Sequence, residues 1–416
     1  MPIDENLDFI CPFCSLHCDD IKIAKKNDKF HVTNLSNQKC IQKIHQYNLD
    51  KKSLTYPKIK NKQSGFSEIM KKSKDMIKSA KDISVLNLGT DMGSIRSMLN
   101  FSACHNASFD HVNSELFFNT MNLVQRSGYI STTLGELKNR SDVIMIFGSQ
   151  IINQHPRIIE KFLLPKNSFA QNVKKRKIYL FGNYSNSLLK NYKNDKRIIH
   201  VNFNLELTDA LINSLNNKTY INKIKIKKNI FEELLLNINK SKYTVFMWTG
   251  SDFKKSNNYQ IILQSISNYV VELNKLSRAA CLPIAGSLGD TTSNQVTTWL
   301  TGFPARIKCS DNSFNHDRFA YNVKRLIAES QTDLAIYVSN FCREKIEINP
   351  KIKNIVLGHP QSKFTKTPDI FIPVGIPGLD YRDIMFRTDN VVSLALKHIR
   401  ECNLPSVKFI FDQLVE

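Results

Sequence analysis

A series of short, nearly continuous apolar runs constrains this chain more than any other feature. They lie at 83–88, 143–147, 178–181, 198–201, 243–248, 334–338, 355–356 and 370–372. Runs this short, rich in β-branched and aromatic residues, read as strands buried on both faces. Helical stretches lie between them. Residues 67–81 carry apolar side chains at 69, 70, 76, 77 and 80, one face of a helix with Ser67 as its N-cap. A helix begins at about Ser94, and 155–164, 205–215 and 259–276 read as further helices, with 216–230 a lysine-rich surface segment. Strands alternating with helices predict doubly wound parallel sheets of the α/β class. Gly89 and Gly93 follow the first run, but a lone glycine pair reads as a tight turn before it reads as a nucleotide loop. No repeat of 20–50 residues is visible, which excludes a solenoid.

The 416 residues suffice for two or three domains. No uncharged apolar run approaches the roughly 18 residues that span a bilayer, so no membrane partner is expected. Asp4, Glu5 and Asp8 near the N-terminus fit neither a signal nor a transit peptide. Nine cysteines without a secretory signal point to the reducing cytoplasm, and to ligation or catalysis in place of disulfides. The net charge of +21 has three readings: a nucleic-acid surface, a face for acidic partners or a polyanionic cofactor, or a general preference for Lys. The basic residues are dispersed and no aromatic-plus-basic motif accompanies them. The compositional reading is preferred, and no nucleic acid is expected.

Cys11, Cys14 and Cys18 form a C-x2-C-x3-C run, and Cys40 follows beyond a hairpin carried by Ile21, Ile23, Phe30 and Val32. Four cysteines so arranged can hold a cubane iron–sulfur cluster. Zinc competes for the same donors, with His17, His31 and His45 as substitute ligands, and a vestigial, empty site is a third reading. A zinc-stabilised nucleic-acid binder would combine that metal with the basic charge.

Cys11-Pro-Phe-Cys14-Ser-Leu-His-Cys18-Asp-Asp-Ile21 with Cys40 resembles the N-terminal motif of the formylmethanofuran dehydrogenase B subunit, a short member of the molybdopterin oxidoreductase superfamily. The likeness continues through Ser102-Ala-Cys104-His105, Thr133 to Asp142, His155-Pro-Arg157, Asn294 to Pro304 and Pro368 to Pro373. It is also a likeness to the B subunit of the bacterial formyltransferase/hydrolase complex. That complex moves a formyl group from tetrahydromethanopterin to a methanofuran-like carrier and releases formate.

The resemblance implies a role for each matched residue. Cys11, Cys14, Cys18 and Cys40 match the ligands of a [4Fe–4S] cluster. Cys104 matches the cysteine that binds molybdenum or tungsten, and His105 the histidine beside it. Taken alone, Cys104 reads as a buried small hydrophobe and His105 as a satisfied core histidine. His155, Arg157, Ser287, Asp290, Thr291, Thr292, Asn294 and Gln295 match regions lining the pterin dinucleotide, whose phosphates call for hydroxyls, amides and an arginine. The same residue types also cap helices and brace loops. There are departures. Ala285-Gly286 stands where the dehydrogenases carry Arg-Gly, and Ser149 where they tend to carry cysteine or asparagine. The chain is shorter than formate dehydrogenases and is expected to lack their C-terminal β-barrel.

The expected architecture is multi-domain and molybdopterin-oxidoreductase-like. It has a cysteine module at 1–57, an α/β domain from 58–138 with 275–375, a Rossmann-like domain at 139–274 and an extension at 376–416. The expected function is that of a scaffold within a formyltransferase/hydrolase complex, partnered by the A, C and D subunits and serving a methanofuran-like carrier. The alternative is a catalytic dehydrogenase component that carries molybdopterin or tungstopterin.

Overall fold

The computed structural model describes residues 4–26, 29–48, 56–169, 173–185, 189–192, 194–254, 256–285, 288–310, 313–341 and 345–416. The chain divides into two compact units. Unit 1 is Met1–Ser114 with Ser287–Glu416, and unit 2 is Glu115–Gly286. The sequence pattern places the cuts near 139 and 275, and sets 1–57 and 376–416 apart as a module and an extension; by contacts both belong to unit 1.

Unit 1 opens with β1 (Asp4–Phe9), β2 (Ile21–Lys26), β3 (Lys29–Val32) and α1 (Gln38–His45). The expected hairpin is β2–β3, with Ile23 opposite Val32. Ile21, Ile23 and Phe30 are buried, as the period-two pattern requires. Then come β4 (Lys58–Ile59), β5 (Lys62–Gln63), α2 (Phe66–Ser79), β6 (Ile83–Asn87), α3 (Met92–Cys104) and β7 (Ser108–His111). Helix α2 buries Ile69, Met70, Met76 and Ile77, the expected face. Its N-cap is extended Gly65, however, so Ser67 lies within the first turn and does not cap it.

The chain enters unit 2 along α4 (Ser114–Arg126). It continues through α5 (Leu134–Arg140), β8 (Val143–Phe147), α6 (Gln150–Gln154), β9 (Lys177–Phe181), β10 (Ile198–Val201), α7 (Thr208–Asn216), α8 (Lys228–Lys240), β11 (Tyr243–Trp248), α9 (Tyr259–Leu273) and β12 (Arg278–Pro283). The helix expected over 155–164 is instead broken: α6 stops at His155 and a π-helical turn covers Ile159–Leu163. Pro156 supplies no N–H to carry α6 onward. The lysine-rich segment 216–230 is not wholly surface. Ile224 and Ile226 are buried, and Lys228 opens a helix that buries Phe231, Leu234 and Ile238.

Unit 1 resumes with α10 (Asp290–Thr301), β13 (Ile307–Ser310), β14 (Ser313–His316), α11 (Val323–Ala328), β15 (Leu334–Ser339), β16 (Lys353–Gly358), β17 (Ile370–Pro373), β18 (Asp383–Phe386), β19 (Ser393–Leu396) and α12 (Val407–Val415). Its nine-stranded sheet runs β14-β13-β7-β6-β15-β16-β17-β4-β5, parallel from β7 to β17. Helix α12 packs on α3, with Phe411 edge-on to Phe101 at 5.3 Å and both rings fully buried. Burying one such side chain stabilises the fold by about 1.5–3 kcal/mol.

Unit 2 holds a five-stranded parallel sheet in the order β10-β9-β8-β11-β12. In both sheets the direction of winding reverses once, between β6 and β15 in unit 1 and between β8 and β11 in unit 2. Crevices at the carboxyl ends of such strand pairs are where open α/β sheets take ligands. Among the described residues no helix is long and apolar enough to cross a membrane.

Candidate functional site

The cysteine loop follows β1 and folds back on itself. The Cys11 N–H donates to the Cys18 carbonyl at 2.9 Å, and the His17 N–H to the Cys14 carbonyl at 3.0 Å. His17 adopts φ 43°, the left-handed turn that returns Cys18 to Cys11. Asn37 caps α1 by accepting from the Cys40 N–H at 3.3 Å, which fixes the fourth cysteine. Cys11, Cys18 and Cys40 are buried and Cys14 is half-buried. Burial first, then the neighbouring Cys14, Cys18 and Cys40 thiols, push the Cys11 thiol well above its usual range. The three thiols of the loop and the Cys40 thiol of α1 therefore lie near one another. Among the described residues, no three His, Cys, Asp or Glu side chains are drawn together at the spacing of a single metal ion. His17 lies beside them, with Nδ1 donating to the Cys11 carbonyl at 3.3 Å; burial lowers it to about 4, so the ring is neutral.

The loop docks within unit 1 through aromatic rings. Phe13 stacks on Tyr47 at 4.1 Å and meets Phe341, just beyond β15, edge-on at 6.3 Å. Tyr47 in turn meets His359, just beyond β16, at 5.3 Å. The cysteine module thus sits at the carboxyl ends of β15 and β16.

A second cluster forms at the carboxyl end of β7. His111 Nδ1 accepts from the Asn113 N–H at 3.2 Å, which leaves Nε2–H to donate to Asn294 Oδ1 at 3.1 Å. Asn113 Nδ2 donates to Asp290 Oδ2 at 3.3 Å, and Asp290 lies 3.8 Å from His111 Nδ1. Asp110 faces Arg306 Nε at 3.5 Å, and its burial raises the carboxyl above its usual range. Asp290, Thr291 and Asn294 are buried in the first turns of α10, and Gln295 is half-buried behind them.

Cys104 and His105 do not join this cluster. They end α3, on the side where β7 begins, at the far end of a 13-residue helix about 20 Å long at 1.5 Å per residue. Cys104 is exposed, with the Cys309 thiol near enough to feel its charge. His105 packs on Phe101 at 4.5 Å and bonds the Leu414 backbone, with burial lowering its pKa. So Cys104 is not the buried small hydrophobe that its residue type suggests.

In unit 2, His155 is fully buried with Nδ1–H donating to the Ile151 carbonyl at 2.9 Å, and Arg157 pairs with Glu160. Unit 2 has its own cleft of about 510 Å3 at the carboxyl ends of β8, β9 and β10, lined by Ser149, Asn183, Asn202, Glu206, Lys225 and Asp252 among others. Asp252 accepts the N–H groups of Ser149 at 3.0 Å and Gln150 at 3.2 Å. Burial pushes its carboxyl up to about 7 against the pull of those two amides.

No family model matches the chain. The B subunit of the tungsten-containing formylmethanofuran dehydrogenase 2 of Methanococcus maripaludis is 22% identical over 412 residues, covering 92% of this chain and 91% of the relative. Its counterpart in Methanocaldococcus jannaschii is 21% identical over 410 residues. The B subunit of the formyltransferase/hydrolase complex Fhc of Methylorubrum extorquens is 18% identical over 306 residues, 73% of this chain and 80% of the relative. The chain is a homologue of these B subunits. Its fold agrees. A chain from the crystal structure of FhcABCD of Methylorubrum extorquens in complex with methylofuran superposes with a TM-score of 0.71 at 16% identity, over 86% of this chain and 97% of that one.

Of the residues singled out for this B-subunit homologue, the cysteine quartet converges, and so do Asp290, Asn294 and the turn around them. Cys104 and His105 stand apart from both, and His155 and Arg157 belong to unit 2. Ser287 lies outside the described residues. Sequence patterns do not single out Asp110, His111, Asn113 and Arg306. No apolar run marks the strand of Asp110 and His111, which reads Ser108-Phe-Asp-His111, so local sequence carries no signal for them.

Proposed function

We propose that the chain is the B subunit of a formyltransferase/hydrolase-type complex in one-carbon metabolism and serves as a scaffold, without a redox role. Its partners are an amidohydrolase-like A subunit together with C and D subunits, and the complex passes formyl groups from formyl-tetrahydromethanopterin through a methanofuran-like carrier to formate. The observation that carries this reading is the fold shared with a chain of FhcABCD over 97% of that chain. The exposed position of Cys104, away from the carboxyl-end crevices, supports the non-redox role.

A [4Fe–4S] cluster held by Cys11, Cys14, Cys18 and Cys40 would tie the cysteine module to the sheet. The donor set fits it: burial and the neighbouring Cys14, Cys18 and Cys40 thiols hold the proton on Cys11, and a cationic core that shared their charge would stabilise the thiolates. When bound, such a cluster supplies cross-linking and one-electron chemistry. The same quartet favours a catalytic dehydrogenase as the second reading.

Co-expression with candidate A, C and D subunits tests the assignment, and co-purification of all four is expected. Anaerobic purification with metal analysis tests the role. Iron without molybdenum or tungsten is expected, and near-stoichiometric molybdenum or tungsten would sink the scaffold reading.

A further inference from the structure

A pterin dinucleotide, which the superfamily implies, brings linked phosphates to the carboxyl edge of a doubly wound sheet. Backbone amides in a glycine-bearing turn after the first strand would meet them. Unit 2 has the strand order for this. Its sheet reverses winding between β8 and β11, and Gly148 follows β8 with φ +96°. Gly182 follows β9 with φ +138°, and a Cβ there would touch Gly148 Cα at 3.4 Å. The two turns therefore pass close together, and the amides of Ser149 and Gln150 open between them and β11.

Those amides are already engaged. The loop after β11 carries Asp252 back to β8, where one carboxylate oxygen accepts from Ser149 N–H at 3.0 Å and both oxygens stand 3.2 Å from Gln150 N–H. A Cβ on Gly148 would overlap Asp252. Tyr184 closes the far side by donating to the Gly148 carbonyl. A carboxylate on paired backbone amides has the charge and the acceptor geometry of a phosphate edge. The residues around this turn do not fit a dinucleotide's phosphates, because a second anion would meet Asp252 at contact distance in a half-buried cleft.

We propose that Asp252 is an internal plug: its carboxylate takes the place of a ligand phosphate at the β8–β11 crevice and closes unit 2 to pyrophosphate-bearing ligands. The closure belongs to unit 2 alone and holds whether or not the chain joins a complex. Its failure would leave the four-subunit assembly untouched, so the two can fail separately.

Equilibrium dialysis of the full-length protein at pH 8 against labelled inorganic pyrophosphate tests the plug, with GDP as a second probe. The wild type should show no saturable binding up to about 1 mM, the weak end of specific affinity. Asp252→Ala should bind pyrophosphate at least about tenfold more tightly, with a melting temperature that rises with pyrophosphate concentration. Asp252→Ser, which keeps one acceptor for the amides, serves if the alanine variant does not fold, and far-UV circular dichroism checks both. Saturable binding by the wild type overturns the proposal and needs no variant. A folded variant that still binds nothing overturns it as well, since Asp252 would then not be what keeps the anion out.

Discussion

Arg400 and Asp380 meet in a buried two-pronged pair, Nε to Oδ1 at 2.6 Å and Nη2 to Oδ2 at 2.9 Å. The third arm of the guanidinium, Nη1, donates to the Tyr47 carbonyl at 2.7 Å. A residue of the C-terminal segment thus clamps the cysteine module, and Asp380 also accepts the Ile376 N–H at 2.8 Å. Arg400→Ala strands a buried carboxylate and should cost about 3–5 kcal/mol in urea unfolding. Arg400→Lys should recover only part of that, because an ammonium cannot match both oxygens and the carbonyl at once. A loss under about 0.5 kcal/mol, the scale of a surface change, would show that the clamp does not hold the module.

The half-buried Asp383 carboxyl is pushed from 3.8 up to about 7, by burial first and then by Asp91, with which it shares a hydrogen bond. A carboxyl whose folded pKa is raised favours the folded state while protonated. That stability is complete below the unfolded value near 3.8 and is lost as pH rises through about 7. Asp383→Asn keeps an oxygen for the Gly93 N–H, now 3.0 Å away, and an N–H for Asp91. The variant should melt higher than the wild type at pH 8 and no higher at pH 4. A wild-type melting temperature that is flat from pH 4 to 8 relative to the variant would count against the shared proton.

Cys14→Ser or Cys40→Ser, purified without oxygen, should lose most of the bound iron and melt earlier, since each removes a proposed ligand of the cluster. Cys104→Ser should retain iron at the wild-type level, because its thiol is exposed at the end of α3. Full iron in Cys14→Ser would remove that residue from the ligand set.

Gly148→Ala should destabilise unit 2 by more than about 1 kcal/mol, because φ +96° strains any Cβ and this one runs into Asp252. In an Asp252→Gly background the collision is removed while the backbone strain remains. The two changes should therefore be non-additive by about 0.5 kcal/mol or more in thermal or urea unfolding. Strict additivity would mean that Gly148 and Asp252 do not touch.

Much of the fold was legible because strands buried on both faces must be apolar throughout. The runs at 143–147 and 243–248 are β8 and β11 residue for residue. Helix ends were less legible, since Gly65 caps α2 through its backbone conformation and Pro156 divides what reads as one amphipathic helix. The path of the cysteine loop could be read because three of its cysteines are close in sequence and turn residues set its course.

What the sequence determined by itself is therefore local: α/β alternation, buried strands, and four cysteines spaced for one core. Only the tertiary structure decided which polar groups face each other. His111 and Asn294 meet across 183 positions, and Asp252 reaches Ser149 across 103. Parallel crossovers deliver distant strand ends to the same sheet edge, and no local pattern records which loop arrives beside which. The same topology sent Cys104 to the opposite end of α3, where a motif that suggests a metal ligand stands exposed.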